Sequence, residues 1–354
     1  MDRLDRIRGC LVGGGAGDAL GYAIEFWQES MIFSKYGLGG IEAYEADPAT
    51  GLAQISDDTQ MTLFTAIGLL HGDDCRKHNA DAQLPRTYVL QAYGDWLTTQ
   101  TRAYSPEAKE NGWNWLMDIP ALYSRRAPGN TCLGALTYMD EYTVPDMDYV
   151  KMRINNSKGC GGVMRTAPVA LLRGDGDLKE ADMEAAQIAA LTHGHPLGYM
   201  PSAVLNHILS RIVFGEEERP LKEIVIEARD TVCDLFAGED HVGALRWIID
   251  LAIELSENDD NDLDNIHRIG EGWVGEEALG IALYCSLRHE FEFSEGIIAA
   301  VNHKGDSDST GAVTGNILGA INGYEAMEEK WKKNLECLDV LLKMADELDG
   351  TLDT

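Results

Sequence analysis

Acidic residues flanked by hydroxyls are the part of this sequence best equipped for chemistry. Ser56-Asp57-Asp58-Thr59 stands near the start, Asp306-Ser307-Asp308-Ser309-Thr310 near the end, and Asp18 sits inside a glycine-rich apolar stretch. Oxygen-only donor sets of this kind suit hard divalent cations such as Mg²⁺. Gathered without a cation, the carboxylates would repel one another strongly; a bound cation cures the repulsion. Plain capping is the simpler reading of the first cluster, because Ser56 makes a natural N-cap and acids in a first helical turn suit the helix dipole. Capping needs only one such residue, whereas two adjacent Asp here are matched by a second cluster far along the chain.

Two rival patterns fit poorly. Asp306-x-Asp308-x-Thr310 matches the D-x-D-x-T of aspartyl-phosphate phosphatases, but those carry it after a strand near the start of an α/β domain, and here it comes late and before a helix. An Asp-Asp pair in an all-α chain suggests isoprenoid synthases, which need a further Asp three positions on, where this chain has Met61.

The elements that must position these acids carry an unusual glycine pattern. Gly9, Gly13, Gly17 and Gly21 are spaced by four, as are Gly311, Gly315, Gly319 and Gly323, so each set falls on one face of a helix. Each Gly costs roughly 0.8–1 kcal/mol against Ala in a helix interior, about 3–4 kcal/mol per ladder. Close backbone approach between helices, or between helix and ligand, would offset that. Both segments are therefore expected to be helical and deeply buried; the alternative is glycine-rich turns that share the spacing.

Elsewhere apolar residues recur at helical spacing, as at Met61, Phe64, Ile67 and Leu70, and again at Leu335, Leu338, Leu341, Leu342, Ala345 and Leu348. Further apolar segments cover about 183–213, 224–236, 243–255 and 276–289. Strand alternation is scarce, so the expected fold class is all-α: a single compact orthogonal multi-helix domain over 1–354, with a motif core at about 6–324 and a C-terminal helix at about 325–349. Expected loops are 37–56, 71–84, 102–112, 124–131, 153–163, 173–178 and 256–265. The acidic run from Glu257 to Asp264 lacks the central Gly and terminal Glu of a calcium loop and is expected to be a solvated loop.

Charge excludes other classes. Lys+Arg number 29 against 59 Asp+Glu, a net charge of −30, which repels nucleic acid and anionic lipid surfaces. An anionic ligand would need help from cations, helix N-termini or a few placed Arg and Lys. No run is long enough to span a bilayer. Seven cysteines without a C-x-x-C pair are read as reduced thiols, and the expected location is cytoplasmic.

Six motifs in order resemble the ADP-ribosylglycohydrolase family, which includes the hydrolase that reactivates ADP-ribosylated dinitrogenase reductase. They are Gly17-Asp18-Ala19-Leu20-Gly21, Ser56 to Thr62, Gly161-Gly162-Val163-Met164-Arg165, Thr192-His193-Gly194-His195-Pro196, Gly272 to Leu279, and Gly305 to Gly311. The resemblance implies two divalent cations, Mg²⁺ or Mn²⁺, at the base of an ADP-ribose cleft. Ser56, Asp57 and Asp58 would form one set of ligands, and Asp306, Asp308 and Ser309 the other, with Ser at two positions where the family often has Thr. It also implies an acid near the scissile bond, here Glu25, for proton transfer or gating; otherwise Glu25 is a surface residue at a helix end. Asp57 and Asp58 complete the expected catalytic set.

For the diphosphate, the loop holding Gly159, Gly161 and Gly162 would offer backbone N–H groups at a helix start, anchored by Arg165, with Arg126 to Thr131 as another wall. His193 is either a ligand contact or a satisfied core residue, and His195 is structural. Lys304 is expected to balance nearby acids, Trp273 to Leu279 to be a helix start without chemistry, and Trp113 and Trp115 to pack rather than to stack adenine. The implied function is hydrolysis of the bond between ADP-ribose and a modified protein side chain, arginine foremost. Left open are a non-catalytic binding or structural member, and an antitoxin that counters an ADP-ribosyltransferase toxin by reversal or by blockade. The expected partner is an ADP-ribosylated protein, with no nucleic acid and no membrane.

Overall fold

The two glycine ladders form one antiparallel helix pair. The first lies in the helix Arg3–Tyr22, opened by Asp2, whose side chain accepts from the Asp5 N–H at 2.7 Å; of the second, Gly311, Gly315 and Gly319 lie in the helix Ser307–Asn322, and Gly323 is its C-cap, with φ of 77°, outside the seam. Their glycines meet in register. A β-carbon on Gly9 would stand 2.1 Å from the Gly319 carbonyl oxygen, one on Gly13 2.3 Å from that of Gly315, one on Gly17 1.9 Å from that of Gly311, and one on Gly21 2.2 Å from that of Ser307. No side chain fits between the helices, so backbone lies on backbone, and Asn316 Nδ2 donates across the seam to the Cys10 carbonyl at 2.8 Å.

The structure, a computed structural model, describes residues 1–79, 81–106, 113–139, 146–173 and 176–350. Among them are seventeen α-helices and no strand, only isolated bridges at Ala53–Leu335 and Gly159–Val274. Helices Pro196–Phe214 and Gly275–Arg288 pass through the interior beside the glycine pair, their faces closed by buried Leu, Ile, Val and Ala. The all-α reading holds, and no helix among the described residues is long and apolar enough to cross a membrane.

Several boundaries differ from expectation. The helix Asp57–His78 runs through the polar stretch read as loop from residue 71, because Arg76, Lys77 and His78 suit the negative end of the helix dipole. The apolar run 183–213 is two helices, Leu178–Ala190 and Pro196–Phe214, broken where Pro196 starts the second. Asn261 caps a helix, Asp262–Ile269, inside the expected acidic loop. The C-terminal segment is not one helix: Glu329–Lys332 and Leu338–Gly350 are separated by a turn in which Asn334 and Cys337 take left-handed backbone, with φ of 66° and 58°. Parts of the expected loops 102–112 and 173–178, namely 107–112 and 174–175, lie outside the described residues.

The glycine seam makes a direct stability prediction. Gly17→Ala should lower unfolding free energy by about 1–3 kcal/mol or more, the scale of overpacking. Gly134→Ala, mid-helix with nothing within 4 Å of the added carbon, should be neutral or gain up to about 1 kcal/mol. Urea denaturation of both variants decides the matter; equal behaviour would contradict seam packing.

Candidate active site

Asp18 follows Gly17 on the first helix, one residue round from the glycine face, and points at the start of another. Fully buried, its carboxylate accepts from the Ser56 N–H at 3.0 Å, from the Thr59 N–H at 3.1 Å and from the Thr59 hydroxyl. Ser56 Oγ accepts from the Asp58 N–H at 3.2 Å. The helix Asp57–His78 is thus capped twice, by its own Ser56 and by Asp18 from another helix, which fixes where Asp57 and Asp58 emerge.

The Ser307–Asn322 helix starts at the same place, since its glycine face is locked to the first helix. Asp57, Asp58, Asp306, Asp308 and Ser309 all border one cleft of about 630 Å³, together with Glu25, Gly159, Gly161 and His193. Ligand oxygens of Glu25, Asp306 and Asp308 lie within 4.8 Å of one another. Acids from both ends of the sequence therefore share one floor.

Electrostatics make that floor unstable as bare carboxylates. Burial, then the charges of Asp308, Asp306 and Asp57, push Glu25 up to about 11. Burial and Asp308 raise Asp18 to about 7 against the pull of its hydrogen bonds. Asp57, Asp58 and Asp306 are each raised well above the usual carboxylate range, first by burial and then by Asp308. Asp58 Oδ1 and Glu25 Oε2 are buried with no hydrogen-bond partner. Buried oxygens without donors among crowded carboxylates fit a cation: the donor set is all hard oxygen, and positive charge is what it lacks.

The walls differ in part from expectation. Arg125, Pro128, Gly129, Asn130 and Thr131 line one side, held by the Gly129 N–H donating to Asp57 Oδ2 at 3.2 Å. Arg126 turns away from the cleft, pairs with Glu336 and donates to the Ile55 carbonyl at 3.0 Å. In the glycine loop, Gly159 N–H is engaged with Ser157 Oγ at 3.4 Å and Cys160 N–H with the Trp273 carbonyl at 3.3 Å. It leads into a short 3-10 helix, Cys160–Arg165. Gly159 and Gly161 border the cleft and also leave room for a neighbouring ring. The His193 ring would meet β-carbons at 159 and 161, and the Gly198 carbonyl one at 162, so Gly162 faces a helix and not the cleft.

Arg165 likewise does not reach the cleft. Fully buried, it lies over the Tyr93 ring at 4.5 Å and donates to Thr192 Oγ1 at 2.5 Å. Expected among the diphosphate-binding residues as anchor of the glycine loop, Arg165 acts from behind the cleft wall, because Thr192 Oγ1 in turn meets His193 Nδ1 at 2.8 Å and so orients the ring that borders the cleft. Burial, then the Arg165 charge, lowers His193 to about 3, so the ring is neutral. His195 caps the Pro196–Phe214 helix, its Nδ1 accepting from the Leu197 N–H at 3.1 Å. Lys304 pairs with Glu271 at 2.9 Å. Trp113 stacks on His71 and Trp115 lies under Lys343, away from the cleft.

Sequence reasoning passed over two features of the rim, Cys160 and Phe26, and read a third, Trp273, as part of a helix start without chemistry. Cys160 Sγ donates to Asp306 Oδ2 at 2.8 Å, and Phe26 and Trp273 border the cleft as a stacked pair. The only signal for Phe26 was its place next to Glu25; Trp273 is indistinguishable in sequence from a packing residue before a helix.

Comparison with known proteins gives the family. The family model described as ADP-ribosylglycohydrolase matches residues 1–353, and the chain belongs to that family, whose members hydrolyse ADP-ribose linkages. ADP-ribosyl-[dinitrogen reductase] glycohydrolase of Rhodospirillum rubrum is 24% identical over 342 residues, covering 94% of this chain and 90% of the relative. ADP-ribosylarginine hydrolase Tri1 of Serratia proteamaculans is 24% identical over 347 residues, 98% of this chain and 80% of the relative. A solved structure titled ADP-ribosylglycohydrolase-related protein complex superposes with a TM-score of 0.67 at 22% identity over 99% of both chains, which establishes the fold.

The raised carboxylates predict an inverted pH response when divalent cations are chelated. Folded, these groups hold protons that the unfolded chain releases, so stability should rise as pH falls from about 8 toward 5. Asp58→Asn should raise stability at pH 8 in chelator and flatten that slope. Thermal melts across this pH range, in which the variant proved less stable and equally pH-dependent, would refute the electrostatic account of the floor.

Proposed function

We propose that this protein is a metal-dependent hydrolase that releases ADP-ribose from ADP-ribosylated arginine in a protein. The observation that carries the reading is the shared floor: Glu25, Asp57, Asp58, Asp306 and Asp308 border one cleft, with buried oxygens on Asp58 and Glu25 left without donors. Asp57, Asp58, Asp306, Asp308 and the hydroxyls of Ser56 and Ser309 are the residues that would hold two divalent cations. When bound, Mg²⁺ or Mn²⁺ supplies Lewis acidity and cancels the repulsion that an anionic ligand would meet in a chain of net charge −30.

The residues themselves account for the rest. Breaking an N-glycosidic bond at the ribose proceeds through an oxocarbenium-like state, so positive charge grows on the sugar. A floor of carboxylates favours that charge where it appears. Water adds its oxygen to the anomeric carbon, the carbon–nitrogen bond breaks, the electron pair leaves with nitrogen, and a proton passes from the water to the departing group. Glu25 is placed for that transfer. Burial and the neighbouring acids raise its proton affinity, and it borders the cleft while its neighbour Phe26 reaches solvent. Neutral His193 and Gly161 shape the wall against which the ribose-diphosphate would lie. Arginine is favoured because the Serratia relative bears that specificity in its name.

The test is release of ADP-ribose from arginine-linked, serine-linked and nucleic-acid-linked substrates, with and without EDTA. Arginine-linked protein should be the preferred substrate, EDTA should stop release, and Mg²⁺ or Mn²⁺ should restore it. Asp57→Ala and Asp308→Ala should each lower turnover by about 10²–10³-fold or more, the scale of losing one group aimed at developing charge, with the helical circular dichroism unchanged. Full activity in either variant would sink the proposal.

A further inference from the structure

Phe26 and Trp273 stack at the cleft mouth with ring centroids 5.7 Å apart and planes 17° from parallel. Both are left in solvent, Phe26 67% and Trp273 37% exposed. Phe26 also keeps φ at 65°, a left-handed backbone that residues with a β-carbon rarely adopt. Folding gains little from an exposed ring on a strained backbone. Such a feature, beside a cleft, points to the ligand.

Position along the ligand follows from Glu25. Its oxygen lies within 4.8 Å of those of Asp306 and Asp308, and Phe26 is its chain neighbour. The Trp273 segment reaches the same acids: a β-carbon on Gly272 would stand 3.4 Å from that of Asp306. The rings therefore stand at the reacting end. Adenine lies two riboses and a diphosphate away from the scissile bond, so the group that meets the rings is the one that departs.

Charge then selects its chemistry. One side of the indole faces the cleft with its carboxylates, and the other borders an adjoining groove of about 590 Å³ that holds Glu29, Glu271 and Glu277. The charges of that groove pair among themselves, Lys304 with Glu271, Glu29 with His267 and Lys158 with Glu276, while Glu277 accepts from the Glu271 and Gly272 N–H groups, so the selection rests on the stacked faces beside Glu25. A flat, weakly hydrated cation that stacks on aromatic faces while bonding to carboxylates is a guanidinium.

We propose that Phe26 and Trp273 form the aglycone subsite and select an arginine guanidinium, with the rest of the modified protein running past the indole into the adjoining groove. This rests on the reading of the cleft as an ADP-ribosyl hydrolase site. The variants that test it are Phe26→Asn, which keeps a residue tolerant of left-handed backbone but removes the ring, and Trp273→Leu, at a position already partly exposed.

Each is assayed on the same peptide carrying ADP-ribose on arginine or on serine, and agmatine is titrated as a competing guanidinium. Each variant should lose roughly tenfold or more in kcat/KM on the arginine linkage, at least fivefold more than on the serine linkage, and agmatine should inhibit the variants at roughly tenfold higher concentration than the wild type. Phe26→Tyr and Trp273→Phe should retain the preference. Equal losses on both linkages, or none, would overturn the subsite while leaving the hydrolase intact, as would a wild type that cleaves only the serine linkage. A wild type that cleaves neither would bring down the reading of the cleft and the subsite with it.

Discussion

Backbone lying on backbone along the glycine seam is the constraint on which the rest of the structure depends. Two helices that are some three hundred residues apart in the chain approach so closely that carbonyl oxygens occupy the space of missing β-carbons. The seam fixes both the separation and the longitudinal register of the helices, because each glycine must oppose its partner. Register is what the site requires. With Gly21 against Ser307, the acids that open the second helix come level with Asp18 near the end of the first, and Asp18 in turn holds the start of the helix carrying Asp57 and Asp58. A shift of one turn would carry Asp306 and Asp308 about 5.4 Å away from the acids they must meet.

The same geometry explains why the fold tolerates so unfavourable a cluster. Carboxylates crowded and buried without positive partners raise one another's proton affinity and oppose folding unless a proton or cation intervenes. Seam packing, which has nothing to do with charge, supplies the force that holds them in place. The glycines cost helix propensity and the acids cost electrostatic energy, and both costs concentrate where the cleft floor forms. Local rules broken together at one place are the usual mark of function.

Much of this was legible in sequence because it rests on periodicity. The spacing of four glycines identifies a face, and the paired acids identify hard-oxygen chemistry. What sequence could not supply was direction. Arg165 was expected beside the diphosphate as anchor of its loop and Arg126 in a wall of the cleft, yet each is turned inward to support a neighbour: Arg165 the Thr192–His193 pair, Arg126 the Ile55 carbonyl and Glu336. The Gly159 loop looked like a phosphate cradle, but two of its N–H groups serve Ser157 and Trp273. Conversely, the exposed ring of Phe26 leaves no periodic trace. Motif membership reports that a residue matters near a site, and only packing says on which side.

The C-terminal segment shows how far the support extends. A helix appended beyond the motif core would be dispensable for the site, but the turn at 333–337 is built into it. The Ala53 N–H donates to the Asn334 carbonyl at 2.7 Å, the Glu336 N–H to the Ala53 carbonyl at 3.0 Å, and the Glu336 carboxylate receives the Ile55 N–H at 3.3 Å and the Arg126 guanidinium. These bonds clamp the extended stretch that leads into Ser56. Arg126 ties the clamp to the wall that ends on Gly129 and so to Asp57. A buried ion pair of this kind is weak evidence for added stability; its consequence is positional, since it joins the last helices, one wall and the cap of the Asp57 helix into a single frame. The cleft floor is therefore held from three sides, by the glycine seam, by Asp18 and by the Arg126–Glu336 clamp.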